Sequence, residues 1–244
     1  MSDAWQEVRF GVTDGALYWA AALLGALMGA ALPDVCVRLV THLGGCHNGE
    51  APMATQASAP CRYLWRAARA CLSGLGLAAI SAGLTWRISA GLGGLWMVGV
   101  WLVMLYAGTL LASVDLALRR LPTPVIGVAA LAVAGLLTGH AVAIGEAQKV
   151  ISATLAAAAV GSAFLLLAVV GGSGLGLGDV RLAALLGAAL GPFGWRAVFV
   201  GAVLPYALAA PEALTRLALR GDPDIAFGPY LLAGALASVA VLGP

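Results

Sequence analysis

Gly171-Gly172-Ser173-Gly174-Leu175-Gly176-Leu177-Gly178-Asp179-Val180-Arg181 is a glycine-rich bend set between two apolar segments of the chain. Glycine has no Cβ, so such a bend can take positive φ and bring its backbone close to another segment. The bend ends in a carboxylate at what the flanking segments make the edge of a bilayer. Asp179 is open to two readings. It can cap the helix that follows, with the glycines only making the turn. Alternatively, because an ionisable group near membrane depth is costly, it marks a functional site.

The composition around this bend demands a membrane. Of 244 residues, 61% are hydrophobic and only 10% charged, and the mean hydropathy is +0.97. A soluble domain carries about 25% charged residues, so this chain could not cover a water-facing surface. A formal charge of +2, with no basic cluster interleaved with aromatics, excludes nucleic acid as a partner. Cysteines at 36, 46, 61 and 71 lack zinc-site spacing. His42 and His47 lie near Cys46 without a sensible fourth ligand, so neither a metal nor any other cofactor is expected.

Eight apolar segments follow from the pattern: 16–32, 71–90, 92–114, 124–144, 150–170, 180–191, 195–211 and 225–242. Most approach the ~20 residues that cross a ~30 Å hydrocarbon core. Segment 180–191 is short for a full span and suits a half-crossing helix shielded by protein. Gly25 and Gly29 in the first segment have the spacing that lets another helix approach closely. The N-terminal 15 residues carry Asp3, Glu7 and Asp14 and no basic n-region, so the first segment reads as a retained span. The expected fold is all-α, a polytopic integral membrane protein of about eight transmembrane helices. Residues 1–244 form a single membrane-embedded domain, and 35–69 form a short loop within it. With eight crossings, nine arginines fall on one side and three arginines with Lys149 on the other. The positive-inside rule puts the 35–69 loop and the glycine-rich bend in the cytoplasm.

A second aspartate changes the weight of the first. Asp115 ends the third segment, within Ser113-Val114-Asp115-Leu116-Ala117-Leu118-Arg119-Arg120-Leu121-Pro122. Two crossings separate it from Asp179, and an even number of crossings returns a chain to the same face. Read alone, Asp115 could be an interfacial residue paired with Arg119 four positions on. Read jointly, two carboxylates at one low-dielectric boundary suit aspartic hydrolysis. Close carboxylates cannot both ionise easily, so one keeps a proton while the other is charged. The charged one can deprotonate an attacking water, and the protonated one can hydrogen-bond the peptide carbonyl. Arg181 either holds the charged state of Asp179 or faces lipid headgroups.

On these residues the chain resembles the type IV prepilin peptidases, aspartic proteases of the Gly-x-Gly-Asp class. Their first aspartate is followed by Leu-Pro, matched here by Asp115 with Leu121-Pro122. Their second lies in Gly-x-Gly-Asp-hydrophobic-Lys-Leu, which reads here Gly176-Leu177-Gly178-Asp179-Val180-Arg181-Leu182, arginine replacing lysine. A late Pro-Phe-Gly-Pro-like element resembles Ile225-Ala226-Phe227-Gly228-Pro229-Tyr230. The resemblance implies an inner-membrane endopeptidase with Asp115 and Asp179 as the catalytic pair. Gly176 and Gly178 would shape the bend, and Phe227, Gly228 and Pro229 would pack near the site. Its implied partners are prepilins or pseudopilins in the lipid bilayer, cut after a glycine just before their apolar helix. Larger members carry paired Cys-x-x-Cys motifs in the first cytoplasmic loop and methylate the new N-terminus. Those pairs are missing from 35–69, so the resemblance extends to the peptidase and not to methyl transfer.

The rival expectation is an ion-coupled transporter that uses the two aspartates as a proton relay. Against it, the chain has no evident inverted repeat, and both aspartates sit at segment ends rather than mid-membrane.

Overall fold

The computed structural model describes residues 16–29, 31–32, 35–36, 38–39, 74–89, 94–118, 121–170, 175–220 and 225–243. Most of the expected 35–69 loop lies outside these residues, with His42, Cys46 and His47. So do Arg119, Arg120 and positions 171–174 of the glycine-rich bend.

Among the described residues the fold is all-α. Its helices are α1 (Ala16–Gly29), α2 (Gly74–Ser89), α3 (Gly94–Leu118), α4 (Thr123–Ile144), α5 (Ala147–Val170), α6 (Leu177–Leu190), α7 (Trp195–Arg220) and α8 (Gly228–Leu242). Four helices are long and apolar enough to cross a membrane: α3, α4, α5 and α7. Each of the eight expected segments therefore has a helix among the described residues, and four of these helices meet the length and hydropathy of a full span. Residues 31–32, 35–36 and 38–39 are helical too, so the described start of the expected 35–69 loop is helix rather than loop.

Local sequence explains where these helices begin and end. Pro122 and Pro124 frame the start of α4, where a missing N–H costs nothing. Gly145 ends α4 in the left-handed region at φ 79°, and its N–H closes onto the Ala141 carbonyl at 2.8 Å. Within the helices, hydroxyls bond carbonyls one turn back, as Thr85 does to Ser81 and Ser113 to Thr109. In hydrocarbon, where water cannot serve them, this satisfies side chains that would otherwise be orphaned.

Packing follows small residues. Gly25 of α1 sits against α2, where an added Cβ would lie 2.7 Å from Ser81 Oγ. Gly187 and Gly191 press α6 and its C-terminal turn onto Ala156 and Ala153 of α5, the close approach that membrane helix pairs use. Gly234 of α8 lies against Pro205 inside α7, and Ser238 donates to the Ala197 carbonyl, so α7 and α8 form an antiparallel pair. Half of the α3 window is buried, against 28% for α4 and 22% for α5. α3 is thus the inner helix, with Trp101, Leu105, Leu111 and Val114 fully enclosed. The outer faces remain apolar: Leu131 and Val142 of α4 are 76% and 86% exposed, a surface for lipid rather than water.

At 14 residues, α6 is about 21 Å long, short of a ~30 Å core. Its far end, the 3₁₀ turn Gly191–Phe193, packs on Ala153 and sets Phe193 edge-on to Trp101 with ring centroids 6.0 Å apart. That level lies about 9 Å inside the start of α5. The turn stays below the bundle end, with Gly191 buried and Pro192 and Phe193 half-buried, while the N-terminus of α6 reaches the other end of the bundle with Asp179.

Candidate active site

Asp115 lies near the end of α3 on the face that also carries Leu111 and Val114, and it is buried. Its Oδ2 accepts a hydrogen bond from the Gly228 backbone N–H at 3.0 Å. A Cβ on Gly228 would come within 2.9 Å of that oxygen, so only glycine lets the first turn of α8 close over the carboxylate. Pro229 follows in that turn, where its fixed φ starts the helix.

Asp179 occupies the first turn of α6, outside the four spanning helices. Its Oδ2 accepts from the Gly176 N–H at 3.2 Å, so the capping role is real for one oxygen. Among the described residues, its other oxygen, Oδ1, is buried and accepts no hydrogen bond. A buried carboxylate oxygen without a donor is uncommon and asks for an explanation beyond a helix cap. Burial and the nearby Asp115 charge, opposed by the Gly176 amide, push the Asp179 carboxyl up to about 6. The fold therefore sets the two aspartates, from α3 and α6, near enough to each other at one end of the bundle for their charges to interact.

Two glycine contacts hold that arrangement. Gly178 meets Leu121, with only 2.7 Å between a notional Cβ and the leucine Cβ. The bend is thereby pressed onto the Leu121-Pro122 link that starts α4. Gly176 supplies the extended backbone at the N-cap, φ −75° and ψ 147°, and the amide that Asp179 accepts.

Arg181 lies elsewhere. Its Nη1 donates to Thr123 Oγ1 at 2.8 Å, tying α6 to the start of α4. The groups that set Asp179 are burial, Asp115 and Gly176, and Arg181 is not one of them. Successive helical residues turn by ~100°, so a residue two positions on faces away.

Phe227 belongs to an aromatic wall that sequence reasoning did not assemble. Its ring centroid lies 5.0 Å from Tyr206 and 6.5 Å from Phe164, and Phe164 and Tyr206 are 5.6 Å apart. Tyr206 is close enough to Asp179 for their charges to interact. The signal available for Tyr206 was a phenol directly after Pro205 in an apolar segment. Phe164 offered none. Among the described residues, no group of His, Cys, Asp and Glu side chains is arranged to hold a metal ion.

No protein-family model matches the chain, and no curated protein or solved structure resembles it significantly.

Proposed function

We propose that this chain is a membrane aspartic endopeptidase that removes the leader from type IV prepilin-like proteins at the cytoplasmic face of the cell membrane. The observation that carries the reading is the Asp115–Asp179 pair: two carboxylates whose charges interact, one with a buried oxygen lacking a donor among the described residues. Paired carboxylates whose proton affinities are driven apart are the working parts of acid–base hydrolysis. The pair titrates as a unit. In the state holding one proton, the ionised carboxylate takes a proton from water as the water oxygen bonds to the scissile carbonyl carbon. The protonated carboxyl gives its proton to the carbonyl oxygen. In the collapse of the resulting gem-diol, the carboxyl protonates the leaving amine as the C–N bond breaks, the other carboxylate takes the proton of the adduct hydroxyl that becomes the new carbonyl, and the pair again holds one.

The other support is convergence of three motifs distant in sequence. Asp115 with Leu121-Pro122, Gly176 to Asp179, and Phe227 to Pro229 meet at one place. Eight crossings, with α6 shielded by its neighbours, and the arginine bias would set that place at the inner leaflet. There a leader could reach the carboxylates while the pilin's apolar helix stays in lipid.

Purified protein incubated with a prepilin-type precursor tests the reading directly. The expected result is loss of a leader-length mass, seen by mass spectrometry. An intact precursor, together with proton-coupled solute uptake by proteoliposomes, would favour the carrier and overturn the peptidase.

A further inference from the structure

Away from the carboxylates, a cleft of about 610 Å³ runs between α4, α5 and α6. It extends along α4 from Thr123 to Thr138, about 22 Å. Its walls are mostly apolar, with alanines such as Ala130, Ala134, Ala157 and Ala184 set among larger side chains such as Ile126 and Leu137. Gly127 also lines it, and a Cβ there would meet nothing within 4 Å. Such a volume is that of a ligand site rather than a packing fault. Among the described residues, the cleft has one charged lining side chain, Arg181, at the end where α4 begins. Arg181 is exposed, donates to Thr123 Oγ1, and forms no ion pair with an acidic side chain among the described residues.

We infer that this cleft is a binding site for one anionic glycerophospholipid, its phosphate on Arg181 and Thr123 and one acyl chain along the alanine-lined groove. A long, narrow, apolar groove open sideways from the bundle suits an extended chain. A guanidinium at its bundle-end mouth suits a phosphate: its fork matches phosphate oxygens, and such charge-assisted bonds are the strong ones. The hydroxyl of Thr123 adds a donor or acceptor beside it. The inference does not rest on the peptidase reading.

The test measures lipid binding and leaves cleavage aside. Protein in neutral detergent micelles is titrated with phosphatidylglycerol and with phosphatidylcholine of the same chains, and bound lipid is counted by native mass spectrometry. Wild type should prefer phosphatidylglycerol by roughly tenfold, one charge-assisted contact's worth. Arg181→Gln should abolish that preference, and Arg181→Lys should keep part of it, with helical content unchanged by circular dichroism. Gly127→Leu, which fills open space without a clash, should weaken both lipids alike while the preference survives. Equal binding of the two lipids by wild type, or a preference surviving in Arg181→Gln, would overturn the headgroup assignment. Unchanged binding in Gly127→Leu would remove the chain from the groove. Displacement of phosphatidylglycerol by millimolar inorganic phosphate would make this a free-phosphate site and sink the lipid assignment.

Discussion

At opposite ends of this bundle, two acidic side chains are treated in opposite ways. At the far end of α4, Glu146 meets Lys149 Nζ at 2.6 Å and His140 Nε2 at 3.6 Å. Hydrogen bonding and charge from Lys149 hold that carboxyl below the usual carboxylate range. About 33 Å away along α4, Asp179 has Asp115 for a neighbour, and its proton is held more tightly than in water. An acid next to a cation is a structural fastening. An acid buried beside another acid opposes folding, and such arrangements cluster where chemistry is done.

Substitutions at the two ends should therefore differ sharply. Asp115→Asn and Asp179→Asn should each lower leader cleavage by about 10²–10⁴-fold, the scale of a lost acid or base, with the protein still inserted in the membrane. Rates of both purified variants against wild type check this, and normal processing by either ends the proposed mechanism. Gly228→Ala should come next. Its methyl would crowd Asp115 Oδ2, and a displacement of that kind costs on the order of 10–10²-fold in kcat. An alanine there with full kcat would show that the α8 turn does not position Asp115. Tyr206→Phe, which keeps the aromatic wall and deletes the phenol, should reduce kcat by roughly tenfold or less. An unchanged kcat would confine Tyr206 to packing.

A smaller effect separates the ends by stability. Asp179 in the folded state binds its proton up to pH about 6, whereas the unfolded carboxyl releases it near 3.8. Between those values the native state holds more protons than the unfolded one, so stability falls as pH rises through the window. Asp179→Asn should thus melt a few degrees higher than wild type at pH 7 and level with it below pH 4. Equal melting at both pH values would contradict the burial of this charge. Smallest of all, Glu146→Gln should leave cleavage within about twofold of wild type, since an exposed ion pair contributes little. A large loss of activity there would erase the contrast between the ends.

Much of the site could be read from the chain before any coordinates. Counting apolar segments placed Asp115 and Asp179 at one face by parity alone, with no need for helix boundaries or orientation. The glycines at 176 and 178 were recognisable as a bend able to approach another segment, though not what Gly178 approaches, which is Leu121 in the link before α4; nothing in the sequence showed that Gly228 lies against Asp115. Arg181 was the avoidable ambiguity, because a residue two places beyond Asp179 on a helix points to another side. The Phe164–Tyr206–Phe227 wall was illegible, since it joins three elements that only tertiary packing unites. Segment count was easier than span count. Hydrophobic runs marked eight helices, and the run 180–191 was already short of a full span; what its end packs on, Ala153 and Trp101, was not readable, because those contacts come from other helices.

The most direct test of the central claim is a carboxyl titration. With ¹³C-labelled aspartate in micelles, Asp179 in wild type should titrate near 6, and in Asp115→Asn its midpoint should fall because the neighbouring charge is gone. An Asp179 midpoint near 3.8 in wild type, or one unmoved by Asp115→Asn, would mean that the two carboxylates do not act on each other and that the paired-aspartate account is wrong.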